Sequence, residues 1–284
     1  MTNGNFNSVR VLSLESRRAQ EISKLIANNG GEPLVTPSVK EMPLESNAEA
    51  LEFARNLDFG LFDVAIFMTG VGVRLLTQVL AHVYSPEHFA ERLKKVVVVA
   101  RGPKPIGALR ELGVPVNITV PEPNTWHDLI AEFDRRQQEF PLKGKRIALQ
   151  EYGSSNSELI AALEDRGAIV SSVPIYEWTL PDDVQPLRDG VAKVIAGEVS
   201  VLLVTSSVQV RHLFKVAEDM DCDDSLRKAL RNVVIASVGP LTSEEIRHQD
   251  LTVDFEASHP KMGFLVQETA QRSAELLRAK RKHL

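Results

Sequence analysis

The stretch Val64-Ala65-Ile66-Phe67-Met68-Thr69-Gly70-Val71-Gly72-Val73-Arg74 is a hydrophobic run that breaks at a threonine and two glycines. A strand that feeds such a loop and then a helix points free backbone N–H groups at a ligand, and these groups suit phosphates and carboxylates. The stretch has neither the third glycine of a dinucleotide fingerprint nor the lysine of a P-loop. A second copy follows further along: "VLLVTSSVQVRHL" from Val201 matches "VAIFMTGVGVRLL" from Val64, and Thr69-Gly70-Val71-Gly72 becomes Ser206-Ser207-Val208-Gln209. The copies share a hydroxyl residue at a strand end leading into a helix, and no glycine. That argues against a nucleotide cradle.

Similar anion-holding groups cluster in other loops. They are Ser13, Ser16, Arg17 and Arg18; Arg101, Gly102 and Lys104; Ser154, Ser155 and Asn156; and Gly239, Thr242 and Ser243, with Arg74 and Arg211 beside the first pair of loops. Each hydroxyl also makes an ordinary helix cap and each cation an ordinary solvated charge, so recurrence in both copies is what singles them out. The seven histidines are scattered without helical metal-ligand spacing, and no Ser–His–Asp order stands out. Cys222, the only cysteine, lies among carboxylates in "DMDCDDS", which raise a thiol's pKa; it reads as incidental. Tyr176 in "PIYEWTLP" follows a strand end, where it serves either as a half-buried neighbour of Trp178 or as a hydroxyl donor.

The elements behind these loops come in duplicate. "VRVLSLESRRAQEISKLIANNGGEPLVTPSV" from Val9 matches "KRIALQEYGSSNSELIAALEDRGAIVSSVPI" from Lys145, each reading as strand, polar loop, amphipathic helix, glycine stop and strand. Gly31 and Gly167 stand where the helices end. "VVVARGPKPIGALRELG" from Val97 likewise matches "VVIASVGPLTSEEIRHQ" from Val233, all at an offset of about 136 residues. Strand and helix alternate, which predicts a duplicated α/β protein with parallel sheets covered on both faces. The 284 residues suffice for two domains, with 43% hydrophobic and 25% charged residues and a net charge of -5, weak grounds against general nucleic-acid binding. The opening "MTNGNFNSVR" is no signal peptide and no apolar run reaches membrane-spanning length, so a cytoplasmic protein with a flexible tail over residues 1–8 is expected.

Three stretches, in order and spacing, resemble the uroporphyrinogen-III synthase family over roughly residues 9–270: "IFMTGVGVRLL", "VPIYEWTLP" and "IASVGPLTSEEIRHQDLTVDFEASHPKMGFLV". The resemblance implies two flavodoxin-like, parallel-sheet α/β domains, residues 1–38 with 179–284 and residues 42–174. They would be joined by a two-stranded linker at about 38–42 and 174–179, with the active-site cleft between them. Each repeat would give its first strand, helix and strand to the other's sheet, an exchange the sequence itself does not distinguish from tandem domains. The implied reaction closes hydroxymethylbilane to uroporphyrinogen III with loss of water and inversion of the last ring, without cofactor or metal, in a monomer. Transient contact with hydroxymethylbilane synthase is left open. By position in the family, Tyr176 is the candidate acid, while Thr69, Ser206 and Thr242 hold substrate carboxylates; Gly70, Ser207 and Gly239 join them as neighbouring groups of the same strand-end loops. "SLESRR" stands where many members carry Thr-Arg-Pro, so Arg17 or Arg18 replaces the missing arginine, and Arg101 and Lys104 are added on charge because "ARGPKP" is more basic than its family counterparts. A binding protein for a small anionic ligand, without turnover, is the alternative.

Overall fold

A computed structural model describes residues 5–44, 47–151, 153 and 155–282. The chain begins β1 (Arg10–Ser13), α1 (Ala19–Asn28), β2 (Glu32–Val35), β3 (Lys40–Pro43), α2 (Ala48–Asp58), β4 (Val64–Phe67), α3 (Gly70–Leu80) and α4 (Pro86–Leu93). It continues β5 (Val97–Ala100), α5 (Pro103–Glu111), β6 (Ile118–Thr119), α6 (Trp126–Arg135), β7 (Arg146–Gln150), α7 (Ser157–Glu164), β8 (Ile169–Val173) and β9 (Tyr176–Thr179). It ends α8 (Gln185–Ile195), β10 (Val201–Val204), α9 (Ser207–Glu218), α10 (Asp223–Leu230), β11 (Val234–Ser237), α11 (Pro240–His248), β12 (Phe255–Glu256) and α12 (Met262–Lys282).

Two compact units result, Met1–Lys40 with Thr179–Leu284 and Glu41–Trp178. One holds a 5-stranded parallel sheet in the order β12-β11-β10-β1-β2, the other a 5-stranded parallel sheet in the order β6-β5-β4-β7-β8, and β3 pairs with β9 separately. The first sheet thus joins β1 and β2 of the first repeat to β10, β11 and β12 of the second, and the other sheet is built the opposite way. Val64–Phe67 and Val201–Val204 are buried along their whole length, as strands covered on both faces must be.

Alternate residues of each strand feed different cores. In the Glu41–Trp178 unit, Ala65, Phe67, Val98 and Ala148 pack under α2 to α5, whereas Val64, Ile66, Val99 and Ile147 pack under α6 and α7. The other unit repeats the plan, with α8 to α11 on one face and α1 with α12 on the other. Consequently β4 sends its helix α3 to one face while its neighbour β7 sends α7 to the other, and β10 and β1 do the same with α9 and α1. Such a divergence opens a crevice at the strands' C-terminal ends.

Two expectations need correction. Residues 5–8 are no loose tail: Phe6 is fully buried in the α1/α12 core, its N–H bonds Asn29 O at 2.9 Å, and Ser273 Oγ donates to Asn5 O at 2.7 Å. Burying that ring is worth about 1.5–3 kcal/mol, enough to order a short segment; Met1–Gly4 lie outside the described residues. The left-handed residue after α1 is Gly30 (φ +73), not Gly31, which is needed because a Cβ there would lie 2.9 Å from Ile26 Cγ2. Gly167, with φ +81, does end its helix as expected.

Candidate active site

Thr69 caps α3: its Oγ1 accepts the Gly72 N–H at 2.9 Å. The same oxygen lies 3.2 Å from the Tyr176 hydroxyl, at the start of β9, whose ring is buried and meets Trp178 edge-on at 6.3 Å. The cavity beside this pair has a volume of about 390 Å³ and is lined by Glu151, Ser155, Tyr176, Glu177 and Trp178 among others. Gly153, left-handed at φ +68, forms part of its wall, and a Cβ there would sit 2.2 Å from the Trp178 indole. Trp178 N donates to Gly153 O at 3.0 Å, which ties β9 to the loop after β7.

The two glycines of the opening motif serve packing. A Cβ on Gly70 would lie 2.6 Å from Lys104 O, so the glycine lets the first turns of α3 and α5 approach. A Cβ on Gly72 would lie 2.1 Å from Nε2 of the buried Gln150, whose Oε1 accepts the Thr69 N–H at 3.3 Å and whose Nε2 donates to Glu151 O. In the duplicate, Gly72 corresponds to Gln209 and Gln150 to Leu14. There the buried Gln209 comes from the helix, its Oε1 accepting the Thr205 N–H and its Nε2 donating to Thr205 Oγ1, both at 2.8 Å. Both units therefore satisfy a backbone N–H at the strand-to-helix turn with a buried glutamine, taken from opposite sides of the crevice.

The remaining candidates separate into those left at helix starts and those committed elsewhere. Ser206 caps α9 and Ser207 begins it, both half-buried; Gly239 caps α11, and the buried Thr242 lies in its first turn. Arg101 is half-buried after β5, Lys104 is exposed in the first turn of α5, and Arg17 is exposed after β1. Ser16 Oγ instead accepts from Ser38 N at 3.0 Å and Val39 N at 2.9 Å, and buried Ser243 bonds Ser237 and Glu256. Arg18 pairs with Glu21. Arg74 grips Glu111 through two bonds at 3.0 and 2.8 Å, and Arg211 reaches Glu245 at 2.9 Å, so in both units this arginine staples neighbouring helices. The Glu111 hydrogen bond raises Arg74 above its ordinary value, and Glu111 is lowered in return. Asn156 is a plain cap of α7, accepting Leu159 N at 2.9 Å, and Ser154 lies outside the described residues. Burial, more than Asp223 and Asp221, pushes the Cys222 thiol up.

Sequence reasoning passed over two glutamates at one repeat position, Glu15 and Glu151, at the same offset as Arg10 and Arg146. Glu151 Oε1 accepts from Ser155 Oγ at 2.9 Å and Ser172 Oγ at 3.1 Å. Glu15 accepts Thr205 Oγ1 at 2.5 Å and Arg18 N at 3.1 Å. Their shared register was the available signal. Nearby, the half-buried His212 donates from Nδ1 to Ser38 O at 2.6 Å; burial holds its imidazole below the usual value, against the pull of that bond.

Two duplicated parallel α/β units, each with a hydroxyl residue at the start of the helix after its central strand, define a class of two-domain α/β proteins. The chain belongs to the uroporphyrinogen-III synthase family: the family model described as Uroporphyrinogen-III synthase HemD matches residues 20–267. Among curated relatives, the chain is 29% identical to a putative uroporphyrinogen-III synthase of Methanothermobacter thermautotrophicus, over 83% of this chain and 87% of that protein. It is 26% identical to YjjA of Bacillus subtilis, a protein called uncharacterized, over 90% and 93% of the two chains. Among solved structures it resembles a mutant uroporphyrinogen III synthase of Thermus thermophilus, with TM-score 0.73 and 26% identity, covering 96% of this chain and 100% of that one. No helix of the described residues is long and apolar enough to cross a membrane.

Proposed function

We propose that this chain closes hydroxymethylbilane to uroporphyrinogen III, with loss of water and inversion of the last ring, as a cytoplasmic monomeric hydro-lyase. The observation that carries the reading beyond family membership is the Tyr176 hydroxyl, 3.2 Å from Thr69 Oγ1 at the edge of a cavity. Thr69 Oγ1 accepts the Gly72 N–H, and either hydroxyl of the Thr69–Tyr176 pair can donate to the other; in the reactive arrangement threonine donates and the tyrosine oxygen accepts. A phenol that receives a hydrogen bond donates its proton more readily, here to the departing hydroxyl.

The leaving step is intrinsically easy from an electron-rich pyrrole, and the free bilane closes unaided to the uninverted isomer. Catalysis is therefore chiefly orientation: the chain must be held so that the last ring attacks through its substituted carbon and forms a spiro intermediate. Gly70, Ser206, Ser207, Gly239 and Thr242, at helix starts, would hold acetate and propionate carboxylates through N–H and hydroxyl groups. Arg17, Arg101 and Lys104 would add charge. Hydroxymethylbilane made in situ by its synthase, closed with this protein, oxidised and separated by isomer, tests the reading. Mostly type III supports it. Only type I, at the spontaneous rate, refutes it and favours a binding protein without turnover.

A further inference from the structure

The cavity beside Tyr176 is not built for a carboxylate arm. Among the described residues its lining presents Glu151 and Glu177 with Trp178 and Ser155, and no arginine, lysine or histidine. Glu151 is only 7% exposed. Both serine hydroxyls bond its Oε1, and among the described residues Oε2 accepts no hydrogen bond. Its duplicate Glu15 has both oxygens engaged, Oε2 by Thr205 Oγ1 and Oε1 by Arg18 N. Oε2 is not sealed from solvent, so it is the oxygen that a ligand in the cavity can reach. An aromatic wall beside it adds attraction for a cation.

We propose that this cavity takes a pyrrole ring bearing positive charge, and that Glu151 is a catalytic residue serving as its counter-ion. The inference rests on the ring-closing reading above. When the hydroxymethyl C–O bond breaks, the pyrrole nitrogen supplies the electron pair and Tyr176 supplies the proton, so oxygen leaves as water and the ring becomes an azafulvenium cation. Glu151 Oε2 accepts the N–H of that cation and stabilises the charge until the last ring attacks. The proton released when closure restores aromaticity returns to the tyrosinate. Oε1, held by two serines, keeps the carboxylate aimed, which is the preorganisation that electrostatic catalysis requires.

Three small probes of one shape test the charge preference: 2-(aminomethyl)pyrrole as its ammonium, neutral 2-methylpyrrole, and pyrrole-2-carboxylate. Titration calorimetry should show the ammonium binding wild type best, with about tenfold weaker binding in Glu151→Gln, the worth of one charge-assisted hydrogen bond. In turnover, Glu151→Gln should lower kcat for type III by about 10²-fold with KM little changed, as expected for a group that acts only on developing charge. Glu151→Asp keeps the charge with a shorter reach to the serines and should retain the ammonium preference. If it loses as much as Glu151→Gln, the serine bonds alone account for both and the proposal fails. Preference for the carboxylate probe overturns it too. A wild type giving only type I removes the ring-closing reading and the catalytic role together, whereas type III production unaffected by Glu151→Gln removes the role of Glu151 alone.

Discussion

The glutamine at the strand-to-helix turn comes from β7 in one unit and from α9 in the other, which makes a double-mutant cycle decisive. Gln150→Leu, copying Leu14, deletes the acceptor for Thr69 N and the donor to Glu151 O in a side chain only 2% exposed. Leaving such groups unsatisfied costs about 1–3 kcal/mol. Gly72→Gln, copying Gln209, places a Cβ 2.1 Å from Gln150 Nε2 and 2.4 Å from its Cδ, so Gln150 must be expelled. Overpacking of this kind costs about 1–3 kcal/mol, less up to about 1 kcal/mol regained when a helical glycine is replaced. In the double variant the leucine no longer competes for the space of the new side chain, and the new glutamine, like Gln209, faces the N–H of residue 68 rather than that of Thr69; the relief of overpacking should couple the pair favourably by about 2 kcal/mol. Recovery stays partial, because Met68 stands where Thr205 offers Gln209 a second bond. Thermal unfolding reads the cycle: at about 2–4 °C per kcal/mol, Gln150→Leu should lower Tm by about 2–12 °C and Gly72→Gln by at most as much, and the double should recover most of one such loss. Losses that simply add would refute the exchange of roles between strand and helix.

Tyr176→Phe should cut type III formation by about 10²-fold, the usual worth of a general acid, and shift product toward type I; full turnover and isomer purity would reduce Tyr176 to packing. Arg74→Ala breaks an exposed pair and should change stability by no more than about 1 kcal/mol in urea unfolding, whereas Arg211→Ala strands the Glu245 side chain, only 13% exposed, and should cost somewhat more, about 1–2 kcal/mol. Neither should alter KM for the bilane; a KM rise of tenfold or more would return these arginines to the substrate site. Glu132, 7% exposed, is held by Arg135 first and Arg136 second well below its ordinary 4.5, at about 2. A depressed carboxylate contributes stability above its unfolded value that is lost as pH falls, so the wild type should weaken between about pH 4.5 and about pH 2. Glu132→Gln should flatten that part of the Tm-against-pH curve, and an unchanged slope would contradict the assignment.

How much of this was legible follows from what repeats carry. The offset linking Arg10 to Arg146 and Pro103 to Pro240 located equivalent strands and helix starts, because parallel strands buried on both faces leave long apolar runs that align well. Thr69 and Ser206 were legible for the same reason, as hydroxyls at one turn. Charge proved a poorer guide. Arg74 and Arg211 recur at one offset, yet recurrence reflects a shared staple to a neighbouring helix, which sequence spacing alone does not reveal. The packing role of the two glycines was not legible, because their partners, Lys104 and Gln150, are distant in sequence. Glu151 was passed over because its meaning depends on the two serines that bind one oxygen and on the cavity before it, and neither leaves a local pattern.

Duplication also frees the halves to diverge at matching positions, and the differences run in one direction. Tyr176 corresponds to Lys40, whose ammonium bonds Asp182 at 2.8 and 2.6 Å; Glu151, whose Oε2 accepts no hydrogen bond among the described residues, corresponds to Glu15, with both oxygens engaged. The Glu41–Trp178 unit thus keeps a phenol and a carboxylate beside a cavity, while the positions matching them in the other unit are spent on internal bonds. What the two units retain in common is the hydroxyl at a helix start, the group that suits a carboxylate arm. On the proposed function, a substrate with many carboxylates and one reacting end asks for this division: grips repeated in both halves, and chemistry in one.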